Sequence, residues 1–178
     1  MHRTFATLLL LVLALPIAAP AQNPPAAPKP GPELRKYDYF VGTWTEEGEI
    51  KPGMMGPGGK FTGTDRVEWM EGGFFLIGHG EGTSSTGTDK GISFWGYDTE
   101  RKVYTFSEFN SNGESITATG TVDGDTWTWT NESTMGGKVW KTRYIVKQLS
   151  PTSYTFKLEM QPEGGQWATA FDGKATKK

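Results

Sequence analysis

Polar and apolar residues alternate along most of this chain. In 126–130 (TWTWT) two tryptophans alternate with three threonines, and in 154–160 (YTFKLEM) Tyr, Phe, Leu and Met alternate with Thr, Lys and Glu. In 61–69 (FTGTDRVEW) Phe, Val and Trp lie opposite Thr, Arg and Glu. Because successive side chains of a strand point to opposite faces, each segment predicts a strand with one apolar and one wet face. We therefore expect an all-β domain.

Ten segments have this character, and turn-forming residues separate them. Asn112-Gly113 and Asp123-Gly124 are preferred two-residue hairpin turns, because both central residues need positive φ. Connections this short join antiparallel neighbours and predict a single up-and-down β-barrel, whose closure removes exposed edges. A β-sandwich would show the same alternation and is the alternative. The predicted strands are 43–51, 60–70, 73–80, 91–97, 102–109, 115–121, 125–131, 138–148, 153–160 and 165–173, each boundary good to about 2–4 residues.

The N-terminal part of the chain differs from the rest. Residues 1–21 have a basic start, an apolar centre and small residues at the end, which is typical of a cleaved secretory signal peptide. Residues 22–32 (QNPPAAPKPGP) predict an extended, proline-rich linker. The barrel domain is expected over 33–178 and begins with a short helix, 33–40 (ELRKYDYF). We expect an exported protein, periplasmic or extracellular, with no membrane span after processing.

Composition excludes several classes of function. Lys and Arg total 18 against 20 Asp and Glu, so no strong field attracts nucleic acid. Cysteine is absent, and histidine occurs only at His2 and His79, which excludes thiol chemistry and metal sites built from several histidines. Neither a GxSxG nucleophile motif nor a GxxxxGK[ST] phosphate loop occurs. We predict no cofactor and no metal; haem bound through His79 is the alternative.

Strand number bears on function, because barrel diameter grows with the number of strands. Ten strands should leave an internal cavity unless large side chains fill it. The seven tryptophans of the chain suit either purpose. Core packing is the expected role of each inward aromatic residue taken singly, but as a set they would form a wall for a flat apolar ligand.

Two polar residues are candidates for contacts with such a ligand. His79 ends an apolar strand and shares a face with Phe75 and Ile77; its imidazole could bind haem or act as a base, and an ordinary strand-end histidine is the alternative. Glu108 shares a face with two aromatic residues, and a carboxylate inside a barrel must pair or shift its pKa. Most other strand carboxylates are assigned to the wet face. The predicted ligand-binding residues are Trp44, Trp69, Phe75, Ile77, His79, Glu108, Trp127, Trp129, Trp140 and Tyr144.

Several motifs resemble those of known barrel families. A short helix that runs into Gly42-Thr43-Trp44 is similar to the start of the lipocalin, fatty-acid-binding and nitrobindin-like barrels of the calycin group. With 71–75 (EGGFF), 96–98 (GYD) followed by Tyr104, and Asn112-Gly113, residues 30–175 resemble a bacterial exported family, domain of unknown function 1579 (DUF1579). The resemblance implies a lipocalin-like barrel whose first-strand Trp44 plugs one end, and it supplies no established activity.

The sequence departs from two relatives within that group. Fatty-acid binders use an Arg-x-Tyr pair for the ligand carboxylate, whereas Arg143 and Tyr144 are adjacent and would lie on opposite faces. Nitrobindin-like proteins bind haem through a late histidine, and no histidine follows His79.

The combined pattern predicts a binding protein rather than an enzyme. We expect a monomer or weak dimer whose interior holds a small apolar or amphipathic molecule. One alternative is a solid barrel that acts as a protein-interaction or envelope module. Another is an enzyme that uses interior carboxylates or His79.

Overall fold

The protein is an antiparallel β-barrel of ten strands in a computed structural model that describes residues 28–53 and 55–178. The predicted signal peptide and most of the predicted linker lie outside the described residues. A 3-10 helix, Pro32–Tyr39, precedes the strands. The strands are β1 Gly42–Ile50, β2 Gly59–Trp69, β3 Leu76–Ser84, β4 Gly87–Asp98, β5 Val103–Asn110, β6 Ser115–Asp123, β7 Thr126–Met135, β8 Lys138–Ser150, β9 Ser153–Pro162 and β10 Ala168–Lys177.

Each strand pairs with the next one along the chain, and β1 pairs with β10 to close the barrel. The closing seam runs from the Trp44–Lys177 pair to the Ile50–Phe171 pair. The predicted up-and-down barrel is therefore confirmed, and the sheet does not divide into the two layers of the sandwich alternative. Among the described residues, no helix is long and apolar enough to cross a membrane.

The structure corrects the predicted boundaries at two places. The segment 82–90, predicted as a loop from its Gly, Ser and Thr content, instead continues β3 and β4 around a tight hairpin, with Gly87 at a φ of 124°. Its ladder pairs Gly82 with Asp89 and Thr83 with Thr88. The last strand is Ala168–Lys177 rather than the predicted 165–173. Its partner β1 begins close to the helix, and pairing with the start of β1 therefore extends β10 toward the C-terminus. Local composition does not report such long-range pairing.

The 3-10 helix fills one end of the barrel with aromatic side chains. Tyr37 is fully buried, donates a hydrogen bond to the Gly96 carbonyl at 3.0 Å, and stacks on Trp127 with ring centroids 5.1 Å apart. The indole Nε1 of Trp44 donates to the Phe40 carbonyl at 2.7 Å. Trp44 thus ties the helix to β1, as its resemblance to calycin barrels implied. This helix end is a packed core, closed to solvent.

Candidate functional site

Three carboxylates point into the half of the barrel that lies away from the helix. Glu46 is two residues beyond the buried Trp44 on β1, so the two side chains share the inner face. On β2, Asp65 is likewise two residues from the buried Val67, so these two side chains also share the inner face. Glu108 is two residues beyond Phe106 on β5, so its side chain lies on the same inner face as Phe106, which packs against the aromatic core at the helix end of the barrel. We call these three residues the luminal carboxylates.

The wall beside the luminal carboxylates is built largely of glycine. Glu46 lies opposite Gly63 across the β1–β2 pair, and Asp65 lies opposite Gly80 across the β2–β3 pair. A Cβ atom at Gly63 would come 3.5 Å from Glu46 Oε2, and one at Gly80 would come 3.9 Å from Asp65 Oδ1. The carboxylates therefore lie over positions where a larger residue would place its side chain. The inward glycines of these strands are Gly63, Gly78, Gly80, Gly82 and Gly91.

An aromatic wall is formed by inward rings of β2, β8, β9 and β10. Phe156 on β9 packs against Phe61, Phe171 and Tyr144, with ring centroids 6.0, 6.2 and 6.1 Å away. Phe156 is buried, whereas the other three rings are only half-buried although they point inward. Half-buried rings on an inner face mean that solvent reaches the lumen here. The lumen therefore combines the aromatic wall, the glycine wall of β2–β4 and the three luminal carboxylates.

Burial shifts the acid–base properties of all three luminal carboxylates in one direction. Burial, followed by repulsion from Asp65, raises the pKa of Glu46 to about 7, and a hydrogen bond from Tyr154 opposes the rise. Burial also raises the pKa of Asp65 to about 6, against the attraction of His79. The pKa of Glu108 is raised by burial and by the nearby Asp65. The surrounding protein therefore stabilises the negative charge of each ionised carboxylate poorly.

Few hydrogen bonds reach the luminal carboxylates from other side chains. Within the described part of the chain, the Tyr154 hydroxyl donates to Glu46 Oε1 at 3.1 Å, and no other side chain donates to the three groups. Asp65 Oδ1 is buried without a hydrogen-bond partner. The Tyr144 hydroxyl lies close enough to all three acids for their charges to raise its pKa, after burial as the main cause, and it too lacks a partner among the described residues. The lumen thus contains polar atoms that form no hydrogen bond with the described residues.

Four of the predicted ligand-binding residues belong to the closed helix end instead. Trp44, Trp127 and Trp129 are 1%, 1% and 5% exposed, and each packs against other rings of the helix-end core. Trp69 packs against the same core and donates from Nε1 to Asp38 Oδ1 at 2.9 Å. These indole rings pack in the helix-end core and stabilise the barrel, so they do not form a ligand-binding surface in the lumen.

Three other predicted residues lie on the outer face of β3 and the turn before it. Ile77 and His79 alternate with the inward Leu76 and Gly78, and His79 pairs across the strands with Arg66 and Ile92. His79 is exposed, and Phe75 is 46% exposed. The shared face of Phe75, Ile77 and His79 is as predicted, but it is the outer face.

The remaining predicted residues, Glu108, Trp140 and Tyr144, lie on inward positions of β5 and β8. Sequence reasoning missed Glu46, which was left among the wet-face carboxylates, and Asp65, which was not singled out. The signal was available, because Glu46 is two residues from Trp44 and Asp65 is two residues from Val67. No group of three His, Asp or Glu residues suited to a metal ion occurs within the described ranges.

The fold and the site define a class of protein, a closed ten-strand β-barrel of lipocalin-like fold with one end filled by aromatic side chains. The particular family follows from the sequence: residues 29–177 match the model of the family described as "Protein of unknown function (DUF1579)". The chain belongs to that family. A comparison with curated proteins found no match.

Solved structures with the same fold are distant in sequence. The crystal structure of Rv2717c from M. tuberculosis is 12% identical, with a TM-score of 0.58, and the match covers 84% of this chain and 99% of that one. The S-type phycobiliprotein lyase CPES from Guillardia theta is 10% identical, with a TM-score of 0.55 and coverage of 81% and 91%. The structure of EF1p2_mFAP2b bound to DFHBI is 13% identical, with a TM-score of 0.44 and coverage of 82% and 98%. For the first two structures the likeness concerns the fold alone.

Proposed function

We propose that this protein is a binding protein whose lumen holds a small, mainly apolar molecule. The observation that supports the proposal most directly is the aromatic wall of Phe61, Tyr144, Phe156 and Phe171. Three of its rings, those of Phe61, Tyr144 and Phe171, are half-buried on an inner face. Large apolar rings gain free energy when a ligand covers them, at about 25 cal/mol per Å². A cavity with apolar walls and a few polar groups is the usual form of a small-molecule site.

Position 82 offers a direct test of this lumen. Gly82 faces inward on β3, and a Cβ atom there would meet only the Thr62 carbonyl oxygen, at 4.0 Å. Gly82→Trp therefore places an indole in the lumen without a backbone clash. Thr83→Trp is the matched control, because Thr83 is the next residue along the strand, faces outward and is exposed.

The experiment is a fluorescence titration of the three proteins with Nile red, an uncharged dye whose emission rises in apolar surroundings. We expect saturable binding to the wild type and to Thr83→Trp, and binding at least about tenfold weaker to Gly82→Trp, because the added ring occupies the same space. Native mass spectrometry of the purified wild type would identify a co-purified molecule. Equal dye binding by all three proteins would contradict a luminal site.

Export is a separate part of the proposal and rests on residues 1–21 of the sequence. We propose a periplasmic or extracellular location after cleavage near Ala21. Expression of the full chain followed by intact-mass measurement should give a product that starts at Gln22 in the exported fraction. An intact N-terminus in that fraction would contradict the proposal.

A second candidate function is a protein-interaction module. Ile92 and Phe109 are cross-strand neighbours on the outer face, 41% and 56% exposed. Both line a groove of about 1230 Å³ that also includes inward residues such as Glu46 and Gly63. Exposed apolar neighbours of this kind occur at interaction sites. Failure of Nile red to bind in the lumen, together with loss of self-association in Phe109→Ser, would favour this function. The enzyme alternative is weakened in one respect, since His79 is outside the barrel wall and Glu108 is inside it.

A further inference from the structure

The charges inside the barrel are all of one sign. Glu46, Asp65 and Glu108 point into the same half of the lumen, and their negative charges raise one another's pKa values. The ion pairs of the described residues lie elsewhere, and none of them includes a luminal carboxylate; examples are Lys51 with Asp172 and Lys90 with Glu81. The lumen therefore carries negative charge without a cation of its own.

Polar atoms without partners point to what is missing. Asp65 Oδ1 is buried and accepts no hydrogen bond, and the hydroxyl of the half-buried Tyr144 donates to no described residue. An unsatisfied buried carboxylate oxygen carries a desolvation cost of about 1–3 kcal/mol or more. Every one of these groups except the tyrosine hydroxyl can only accept hydrogen bonds when ionised. What the site lacks is a group that both donates hydrogen bonds and carries positive charge.

The glycine wall leaves room for such a group next to the acids. Asp65 Oδ1 lies 3.9 Å from the Cβ position of Gly80, and no other atom comes within 4 Å of that position; at Gly78 the Ser93 hydroxyl already occupies the space. Glu108 Oε1 lies 3.3 Å from the Cβ position of Gly91. Replacement of these glycines by larger residues would fill the space beside the carboxylates. The aromatic wall, including Tyr144, borders the same region and favours both apolar groups and cations at its ring faces.

We propose that the ligand of the lumen is an organic amine, whose ammonium group pairs with Glu46, Asp65 and Glu108 and whose apolar body packs on the aromatic wall. This inference rests on the proposed function, because it names the chemical class of the luminal ligand. An ammonium group supplies three hydrogen-bond donors and a positive charge, the two properties that the luminal carboxylates lack in a partner. A fatty acid is excluded by the same charges, since its carboxylate would add a fourth negative group.

Binding of an amine should also release protons. Burial raises the pKa of Glu46 to about 7 and that of Asp65 to about 6, so both carboxylates are partly protonated near pH 6.5, and a bound ammonium group would favour their ionised forms. The ionisable groups near them on the surrounding strands are Tyr144 on β8, Tyr154 on β9, Asp89 on β4 and Glu114 near β6. His79, on the outer face of β3, acts on Asp65 from outside the barrel wall. Tyr144 and Tyr154 have pKa values raised by burial and stay neutral in this range, so the carboxylates are the proton source.

The test compares three probes that share one apolar body: 4-phenylbutylamine, 4-phenylbutan-1-ol and 4-phenylbutanoic acid. Displacement of Nile red from the purified protein at pH 7.5 gives their relative affinities. We expect the amine to bind at least about tenfold more tightly than the alcohol, because one charge-assisted hydrogen bond contributes enough free energy for that difference in affinity. The acid should bind most weakly. Calorimetry near pH 6.5 in buffers of different ionisation enthalpy should show proton release for the amine and none for the alcohol.

A neutral triple variant, Glu46→Gln, Asp65→Asn and Glu108→Gln, keeps the shapes of the side chains and removes their charge. It should lose the preference for the amine and the proton release while it still binds Nile red and the alcohol. The matched control is Glu47→Gln, because Glu47 is adjacent to Glu46 but exposed on the outer face. The control should behave as the wild type does, and retained Nile red binding shows that each variant is folded.

The outcomes separate this inference from the proposed function. If the amine binds no better than the alcohol in the wild type, the amine proposal is overturned while the luminal site stands. If the triple variant keeps the preference for the amine, the cation is bound elsewhere and the proposal is equally overturned. If neither Nile red nor any probe binds to the wild type, the proposed function itself fails.

Discussion

Replacement of Glu46 by glutamine should make the protein more stable at alkaline pH. Glu46 is held inside the barrel, where burial raises its pKa from 4.5 to about 7. A difference of one in pKa corresponds to about 1.4 kcal/mol, so this rise corresponds to about 3 kcal/mol of folding free energy. Because the pKa in the folded state is higher than in the unfolded state, the group favours folding below pH 4.5. That contribution is lost as the pH rises through 7.

The glutamine variant lacks this titration and keeps the hydrogen bond. The Tyr154 hydroxyl donates to Glu46 Oε1 at 3.1 Å, and the amide oxygen of glutamine accepts the same bond. We therefore expect Glu46→Gln to equal the wild type near pH 4.5. At pH 8 it should exceed the wild type by up to about 3 kcal/mol in its free energy of unfolding.

Urea denaturation at pH 4.5, 6, 7 and 8 and constant ionic strength, followed by tryptophan fluorescence, measures the free energy of unfolding of each variant. Glu47→Gln is the control, because Glu47 is exposed on the outer face of the same strand; it should follow the wild-type profile. The reasoning is refuted if Glu46→Gln and Glu47→Gln depend on pH in the same way.

Three further predictions concern the barrel itself and use the same denaturation assay. Tyr37→Phe removes the buried hydrogen bond to the Gly96 carbonyl and should cost about 1–2 kcal/mol; a change under 0.3 kcal/mol would contradict the structural role of this bond. Gly120→Ala places a Cβ atom 2.6 Å from the buried Trp129 ring and should cost about 1–3 kcal/mol, so a neutral result would contradict tight packing there. Lys102 has a φ of 55°, and Lys102→Gly should stabilise the β4–β5 turn by up to about 1 kcal/mol; clear destabilisation would show that no strain exists.

The fold was predictable because alternation and turn chemistry are local properties. Asn112-Gly113 lies between β5 and β6 as expected, whereas Asp123 ends β6 and the next turn is Gly124-Asp125. Gly113 and Gly124 have positive φ, but Asn112 and Asp123 do not. The hairpin at 85–86 was missed for a physical reason. In β3 and β4 the inward positions are mainly glycine, so the apolar–polar contrast that identifies a strand is absent there.

The site was predictable only in part, because alternation gives a face but not its direction. Phe75, Ile77 and His79 share a face as predicted, yet that face points outward, while Trp44 and Trp127 point inward into a filled region. Whether an inward ring lines a cavity or fills it depends on the other strands around the barrel. Glu46 could have been found by the rule that identified Glu108, namely a carboxylate two residues from an inward aromatic residue.

The seam between β1 and β10 has a consequence for how the chain folds. The seam pairs Trp44 with Lys177, so the two ends of the sheet meet only after all the intervening hairpins are in place. Long sequence separation makes this ring closure the contact with the greatest entropic cost, and folding rates fall as such contacts increase. Until β10 docks, the unfinished sheet has two free edges and an uncovered row of aromatic rings, which is a form prone to association with other chains. Mutations that weaken the seam should therefore lower the yield of refolding at high protein concentration more than they lower the stability of the finished barrel.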